Sequence, residues 1–319
     1  MVLSVVIATL AGFFVSPPCL TAFRSISRRK QLLEAPFTIN DHFIFVGKSL
    51  IKSKNIALVG AGFMGSALIR GLVNSKTASP ERIFAFDSDQ ETLEALSGQL
   101  GVKAAGDNEE AVKNADIVIL AVKPQIVADV ARSFSGEIDG EKLVISIAAG
   151  VTIKSLEAMF KPGSRIIRAM PNMPAMVGEA ATAICAGTAV EKEDIGIARQ
   201  IFDAVGKTVV VDESAMDAVT GLSGSGPAYV FTFLEALTEA GLSCGLSREV
   251  SEKLAGQTLY GAARLAMETG ASPAKLRERI TSPGGTTLAG LASLKSEGFS
   301  DIVQNAVKAA MKRSKELGS

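Results

Sequence analysis

Three glycines stand at the spacing that lets a backbone loop hold phosphate groups. They follow an apolar run at 55–59, precede a helical pattern over 66–74, and belong to the segment Gly60-Ala61-Gly62-Phe63-Met64-Gly65. In such a unit the first glycine allows a tight turn, the second lets the backbone approach a pyrophosphate, and the third allows close packing of helix on strand. The positive end of the helix then faces the phosphates. The spacing predicts a dinucleotide site; a glycine turn needed only for packing is the alternative.

A carboxylate follows at the place where it strengthens this prediction. A second apolar run, 82–86, ends in Asp87, about twenty residues after the glycine segment, where an acidic side chain can bind the adenosine ribose hydroxyls. The cofactor is therefore predicted to be NADPH or NADH. Because Asp87 would repel a 2′-phosphate, we expect NADH to be used at least as well as NADPH.

Further strand patterns predict a doubly wound parallel sheet. Apolar runs at 117–122, 143–147 and 165–169 alternate with helical segments. Ligands bind at the carboxyl ends of such strands. Those ends should line the nicotinamide part of the site, and they are Ala121-Val122-Lys123-Pro124, Ser146-Ile147-Ala148-Ala149-Gly150 and Met170-Pro171-Asn172-Met173-Pro174. For Lys123, a solvated surface lysine is an equally good interpretation.

Two segments rich in glycine and hydroxyl groups precede helical patterns in the last third of the chain. They are Ser223-Gly224-Ser225-Gly226-Pro227 and Ser282-Pro283-Gly284-Gly285-Thr286-Thr287. The start of a helix offers unpaired N–H groups, and nearby hydroxyls add donors, so each segment is suited to an anion. Together they predict a site for a substrate carboxylate. Ordinary helix capping is the alternative.

The histidine content excludes several kinds of chemistry. The only histidine, His42, lies before the first predicted domain. This excludes a Ser-His-Asp hydrolase, a His-ligated zinc site and the alcohol dehydrogenases that use histidine as the acid. The cysteines lack paired spacing, so no metal site is predicted. A basic substrate that enters already protonated, such as a cyclic imine, would accept hydride with only positioning and a nearby hydroxyl.

Composition and length bound the organisation of the chain. The 33 basic and 33 acidic side chains balance, which favours a small-molecule substrate and gives no reason to expect nucleic acid as a partner.

A chain of 319 residues favours two domains behind a leader. We predict a dinucleotide-binding domain at 55–213 and an all-α domain at 214–319, with helices at 227–240, 248–267, 287–296 and 301–315. These helices carry more apolar surface than a short bundle hides, which predicts a shared core in a homodimer or larger assembly; a monomeric bundle is the alternative.

Residues 1–54 read as a targeting leader. An uncharged apolar stretch runs to residue 16 and is too short for a stable membrane span. A basic, hydroxyl-rich stretch follows, with no acidic residue before Glu34. These compositions are typical of a signal-peptide core and of a transit peptide, in series. The arrangement resembles a bipartite plastid presequence, so a plastid location is predicted, with the mitochondrion and then the cytosol as alternatives.

One long segment identifies a family. The run from Ile280 to Lys295, ITSPGGTTLAGLASLK, resembles the signature of pyrroline-5-carboxylate reductases. Segments that resemble the same family, in its order, are AVKP at 121–124, SIAAG at 146–150, RAMPNMP at 168–174 and GLSGSGPAY at 221–229. The resemblance runs from Asn55 to the C-terminus. It implies a Rossmann domain followed by a helical dimerisation domain, often assembled as a ring of dimers. It also implies reduction of pyrroline-5-carboxylate to proline, the last step of proline biosynthesis.

The resemblance also implies roles for individual residues. Thr287 would contact the imine nitrogen, while Ser282 and the backbone of Gly284, Gly285 and Thr286 would hold the carboxylate. Asn108 and Lys123 would contact the cofactor. The family often has a hydroxyl or basic residue at the position of Asp87, so we do not expect its usual preference for NADPH here.

Two other functions are compatible with the first domain. A hydroxyacid dehydrogenase would share it, but would carry a catalytic lysine in the helical domain and would oxidise hydroxyacids. A dinucleotide sensor without catalytic activity would bind NAD(P)H and leave it unoxidised when the imine is added.

Overall fold

The computed structural model describes residues 49–318, and its first part is built on one sheet. The strands lie in the order β3-β2-β1-β4-β5-β6-β7-β8. β1 to β6 pair in parallel, β7 is antiparallel to β6, and β8 is parallel to β7. Their bounds are β1 Ile56–Val59, β2 Ile83–Phe86, β3 Lys103–Ala104, β4 Ile117–Leu120, β5 Leu143–Ser146, β6 Arg165–Met170, β7 Ala180–Ala186 and β8 Gly206–Val210.

Helices connect the strands and then form the rest of the described chain. Between the strands lie α1 Phe63–Asn74, α2 Gln90–Leu100, α3 Asn108–Lys113, α4 Val127–Phe134, α5 Ile153–Glu157 and α6 Lys192–Asp203. After β8 come α7 Met216–Val219, α8 Gly226–Ser243, α9 Arg248–Thr269, α10 Pro273–Arg279, α11 Thr286–Ser296 and α12 Phe299–Leu317. A π-helical turn, Thr220–Gly224, joins α7 to α8.

The predicted fold class, a Rossmann doubly wound sheet followed by an all-α domain, is confirmed. The sequence patterns did not indicate β3, β7 or β8. β3 has only two residues, both exposed. β7 reads AATAICA, and alanine has a low preference for strands, so local pattern gives little signal there. The reversed direction of β7 follows from its pairing with β6, which no local pattern records.

The two faces of the sheet carry separate apolar clusters. One cluster packs under α1, α2 and α6, and the other packs under α3, α4 and α5. Every residue of β1, β4 and β5 is buried, as expected for central parallel strands that are covered on both faces. The sheet therefore fixes the carboxyl ends of these strands along one edge, where the predicted site residues lie.

A short segment before β1 packs into the first of these clusters. The side chain of Ile51 is 0% exposed, and the backbone N–H of Leu50 donates to Gln200 Oε1 at 3.0 Å. The leader was predicted to extend to residue 54, whereas this packing places the start of the folded region before Leu50. The leader motifs themselves lie outside the described residues.

The helical region buries little of its own apolar surface. From 226 to 318, the buried residues are Thr238, Ser251, Ala255 and Ser314. Large apolar side chains are instead more than half exposed, among them Leu254, Tyr260, Met267, Ile280 and Ile302. Patches of this kind mark an interaction surface. Within residues 49–318, no helix combines the length and apolarity needed to cross a membrane.

We expect the N-terminal segment to contribute to stability. A chain that starts at Ser49 should unfold at the same urea concentration as the longer chain, whereas one that starts at Ser53 loses Leu50 and Ile51. Ile51→Ala should lower the free energy of unfolding by about 2–5 kcal/mol, because it deletes a fully buried side chain. Urea titration followed by circular dichroism measures the effect, and equal midpoints for all these proteins would contradict the assigned packing.

Candidate active site

The glycine loop between β1 and α1 has three glycines with three different surroundings. Gly60 has φ +100°, and a β-carbon there would lie 2.7 Å from the carbonyl oxygen of Ala121. A β-carbon on Gly65 would overlap the carbonyl oxygen of Gly60. Around Gly62, by contrast, nothing lies within 4 Å of an added β-carbon. The fold therefore needs Gly60 and Gly65, while Gly62 leaves open space in front of the backbone.

A cleft of about 410 Å³ opens in front of this loop. Ser88, Ile126 and Val130, which the sequence analysis did not assign, also line it. Six of the residues assigned to cofactor binding line the cleft: Gly60, Gly62, Asp87, Asn108, Ala121 and Lys123. Phe63 and Met64 begin α1 beside it; Phe63 is 53% exposed and Met64 packs partly on the core.

Asp87 is fixed at the mouth of this cleft by two backbone groups. Its Oδ2 accepts from the Ala61 N–H at 2.6 Å, and its Oδ1 accepts from the Asp89 N–H at 2.9 Å. Hydrogen bonds from the Thr92 hydroxyl and backbone hold the pKa of Asp89 below its ordinary value, so this exposed carboxyl is ionised at neutral pH. The side chains of Asp87 and Asp89 thus lie together just before the start of α2. Among the residues lining the cleft, Lys123 carries the basic side chain.

The other assigned strand-end residues lie on the same edge, beyond this cleft. Pro124 begins an exposed 3-10 turn, Pro124–Ile126. Ala148 is buried and Ala149 is half-buried in the loop after β5. The N–H of Ile147 donates to the Leu120 carbonyl at 3.0 Å, which keeps this loop beside the end of β4.

The segment from Ser223 to Pro227 was predicted to be an anion-binding helix start, and this prediction is wrong. The chain is already helical from Met216, and the N–H of Ser225 donates to the Thr220 carbonyl at 2.8 Å. The Ser223 hydroxyl donates to the Val219 carbonyl at 3.1 Å. These donors are used inside the helix, so the segment does not form the open helix start that was expected.

Asn172 has a structural role that the sequence analysis missed. Ser223 O would ordinarily accept from the residue four positions later, but that residue is Pro227, which has no N–H. The Asn172 side-chain amide donates to this carbonyl at 2.9 Å, and its Oδ1 accepts from the Ala181 N–H at 2.9 Å. Asn172 thus joins the sheet to the helical region. A proline four residues after Ser223 is the sequence signal for an unpaired carbonyl.

The segment from Ser282 to Thr287 does form an open helix start. Gly284 has φ +71°, and the Gly285 N–H donates to Ser282 O at 3.0 Å, which makes a tight turn before α11. No side chain caps α11, so its first-turn N–H groups are available to an anion. Thr287 is half-buried, and Ser282 and Thr286 are exposed.

The single chain does not place this segment with the cofactor cleft. Neither the cleft at Gly62 nor a second cavity of about 400 Å³ beside Asn172 is lined by any residue from 282 to 287. The second cavity is mainly apolar and includes Pro174, Leu222, Pro227 and Phe231. The two halves of the predicted site are therefore separate within one subunit.

Two further features limit the chemistry open to the described residues. Among residues 49–318, no set of three or more His, Cys, Asp and Glu side chains is arranged to hold a metal ion. Burial raises the pKa of the Cys185 thiol to about 11, so this cysteine is protonated and unreactive at neutral pH.

A glycine-loop cleft on a Rossmann sheet, followed by a helical region, defines a two-domain dinucleotide-dependent oxidoreductase. Comparison with known families agrees with this class. Residues 213–317 match the family model described as pyrroline-5-carboxylate reductase dimerisation, and residues 55–150 match one described as NADP oxidoreductase, coenzyme F420-dependent.

Individual relatives narrow the class to one family. The chain is 46% identical to a pyrroline-5-carboxylate reductase of Methanosarcina acetivorans, over 84% of this chain and 99% of the relative. It is 42% identical to that of Arabidopsis thaliana, over 83% and 96%. A solved pyrroline-5-carboxylate reductase from Coxiella burnetii superposes with TM-score 0.81 and 38% identity, over 84% and 100%. The structure from Plasmodium falciparum with NADP bound gives 0.76 and 35%, over 84% and 99%. The chain belongs to the pyrroline-5-carboxylate reductase family.

Substitution of Gly62 and of Gly65 by alanine should have different effects on stability and on cofactor binding. Gly62 has φ −62° and ψ −165°, which any residue adopts, so Gly62→Ala should leave the stability of the protein without cofactor unchanged. Its methyl group would occupy the space for the pyrophosphate and should weaken binding of reduced dinucleotide by about tenfold or more. Gly65→Ala should instead destabilise the fold by about 1–3 kcal/mol, because it overpacks helix on strand.

Urea unfolding without cofactor and the fluorescence of bound NADH separate the two effects. Gly62→Ala with unchanged cofactor affinity would show that the pyrophosphate binds elsewhere.

Proposed function

We propose that this chain reduces pyrroline-5-carboxylate to L-proline with hydride from NADH or NADPH, which completes proline biosynthesis. The observation that carries the proposal is the uncapped start of α11, with two threonine hydroxyls, in a chain that also has a dinucleotide cleft. The relatives that are 36–46% identical are pyrroline-5-carboxylate reductases, which supports it.

The cleft fits the cofactor. Gly62 leaves the backbone open to a pyrophosphate, and the N-terminus of α1 faces the same space. We assign Asp87 to the adenosine ribose and Asn108 and Lys123 to further contacts with the dinucleotide. The bound nicotinamide supplies the hydride.

The substrate fits the start of α11. A carboxylate can accept from the free N–H groups around Thr286 and from the Ser282 hydroxyl, and the positive end of the helix favours its charge. The ring nitrogen of the imine is basic and binds already protonated. When hydride reaches the adjacent carbon, the C=N bond becomes a C–N bond and the nitrogen becomes an amine. A hydrogen bond with the Thr287 hydroxyl orients this nitrogen, so no strong protein acid is needed.

We further propose that two subunits complete each site. The exposed apolar side chains of α8 to α12 need a partner, and the 282–287 segment lies outside the cofactor cleft of its own chain. A second copy that covers these helices would bring its α11 to the cleft. The family match to a dimerisation region over 213–317 supports this arrangement.

The leader forms a separate proposal. We propose that the basic, acid-free stretch after the apolar segment directs the chain to a plastid and is removed before Leu50, because Ile51 belongs to the core. A fluorescent reporter fused to residues 1–48 tests this. A cytosolic or mitochondrial signal would overturn the plastid assignment.

The direct test of activity follows nicotinamide absorbance. Purified protein, either reduced cofactor and pyrroline-5-carboxylate should give oxidised cofactor and one proline per cofactor oxidised. Binding of cofactor without oxidation would instead indicate a sensor, and oxidation of hydroxyacids would indicate a dehydrogenase of that class.

Asp87 should determine the cofactor preference. We expect kcat/KM with NADH to equal or exceed that with NADPH, because a 2′-phosphate would face the Asp87 and Asp89 charges. Asp87→Asn keeps the shape and an acceptor for the Ala61 N–H but removes one charge. It should shift the NADPH/NADH ratio of kcat/KM upward by about tenfold. A strong preference for NADPH in the unmodified enzyme that survives in Asp87→Asn and in Asp87→Ser would refute the assignment.

Thr287→Val should impair turnover with the fold intact. The substitution keeps the β-branch and removes one hydrogen bond to a group whose charge changes, which is worth about 1.5–3 kcal/mol. At about 1.4 kcal/mol per decade, kcat/KM for the imine should fall roughly 10- to 150-fold, with nearly unchanged cofactor affinity. Thr286→Val is the matched control and should act mainly through the KM of the imine. Wild-type turnover in Thr287→Val would show that this hydroxyl does not orient the imine nitrogen.

Mixed dimers should show whether two subunits share a site. Gly62→Ala damages the cofactor half and Thr287→Val the substrate half, so each homodimer should have low activity. In a mixed dimer with shared sites, one site carries both changes and the other carries neither, so activity should return to as much as half that of the wild-type dimer. Mixtures refolded together that stay as inactive as the parents would show that each chain builds its own site.

A further inference from the structure

The loop between β5 and α5 carries assigned site residues, yet it is held by parts of the chain that lie far away in sequence. The loop includes Ala148 and Ala149 and turns at Gly150, which has φ +78°. It lies beside the end of β4, because the Ile147 N–H donates to Leu120 O at 3.0 Å. This is the edge of the sheet where ligands bind in folds of this kind.

The first contact comes from Glu213, at the start of the helical region. Glu213 Oε1 accepts from the Ile153 N–H, the first residue of α5, at 2.6 Å. The same oxygen accepts from Arg168 Nη1 at 3.2 Å, and the Arg168 side chain is only 6% exposed. A buried guanidinium that loses its partner is costly, so this pair fixes Glu213 firmly. One carboxylate thus joins β6, the end of the β5–α5 loop and the helical region.

The second contact comes from the residue that follows α12. The backbones of Gly318 and Gly150 approach so closely that a β-carbon on Gly318 would lie 2.5 Å from Gly150 O. A β-carbon on Gly150 would in turn lie 3.6 Å from the backbone nitrogen of Gly318. α12 itself is anchored to the helical region, because the Ser314 hydroxyl donates to Asp217 Oδ1 at 2.7 Å. The loop is therefore held by both ends of the helical region.

We propose that Glu213 and Gly318 are positioning residues that fix the β5–α5 loop against the nicotinamide half of the cofactor. This rests on the proposed function, in which the nicotinamide lies at that edge of the sheet. Neither residue contacts the adenosine cleft, which is lined by residues from 59 to 130. Their effect should therefore fall on hydride transfer and on the nicotinamide contacts, and the adenosine contacts should be unchanged.

The test compares three variants with the wild-type full chain. Glu213→Ala removes both contacts of the carboxylate, whereas Glu213→Gln keeps an acceptor for Ile153 and removes the charge opposite Arg168. Gly318→Ala pushes a methyl group toward Gly150 without touching Glu213. Gly98→Ala is the control, since a β-carbon there meets nothing within 4 Å.

We expect kcat for the imine to fall about 10- to 100-fold in Glu213→Ala and in Gly318→Ala, and less in Glu213→Gln, because a small misplacement of reacting groups is enough for such losses. The primary isotope effect with NADH deuterated at C4 should rise. The Kd of NADH should increase severalfold, while that of ADP-ribose, which lacks the nicotinamide, should stay within about twofold of wild type. Gly98→Ala should match the wild type in each measurement.

Two results would overturn the proposal. One is wild-type kcat and isotope effect in Glu213→Ala and Gly318→Ala. The other is a parallel loss of ADP-ribose and NADH affinity, which would show general damage to the fold. Failure of the wild-type enzyme to reduce the imine would reject the proposed function instead. The ratio of the Kd of NADH to the Kd of ADP-ribose in each variant would still decide whether Glu213 and Gly318 have the positioning role.

Discussion

The close contact between the glycine loop and the ends of β1 and β4 is the constraint on which the site depends. Gly60 lies against the Ala121 carbonyl and Gly65 against the Gly60 carbonyl, with no room for a side chain at either place. Because the backbones meet directly, α1 begins at the edge of the sheet and directs its N-terminus into the cleft. This contact of backbones determines where the other parts of the site lie. They are the open space at Gly62, the carboxylate of Asp87 and the carboxyl ends of the strands.

The site manages its chemistry with few ionisable groups. Among the described residues there is no histidine and no set of metal ligands, and Cys185 is held neutral by burial. In the function that we propose, the chain provides positioning: a glycine loop for phosphates, an uncapped helix start for a carboxylate, and hydroxyls for a nitrogen. A substrate that is already protonated when it binds needs little more, because orientation supplies much of the rate gain when a hydride donor is held nearby.

The helical region carries both the exposed apolar side chains and several contacts to the candidate site. Its helices form in one chain, but their large apolar side chains stay exposed. In the dimer that we propose, another copy covers them and supplies the buried surface. The same helices carry the 282–287 segment and, through Glu213 and Gly318, hold the loop after β5. Asn172 adds a further link, because it replaces the N–H that Pro227 lacks. The helical region is therefore in direct contact with the segments that carry the assigned site residues at the carboxyl ends of the strands.

Much of this protein follows from the sequence alone, because local patterns determine the features concerned. Apolar runs predicted the central strands, and glycine spacing predicted the dinucleotide loop. The helical repeat of apolar residues predicted α8, α9, α11 and α12 to within a few residues. The family signature gave the reaction. Tertiary structure decided the rest, since pairing between distant segments leaves no local pattern. It reversed β7, placed Ile51 in the core ahead of the expected domain start, and made residues 220–224 a π-helical turn where a free helix start was expected. It also left the 282–287 segment outside the cofactor cleft of its own chain, a separation between distant segments that no local pattern records.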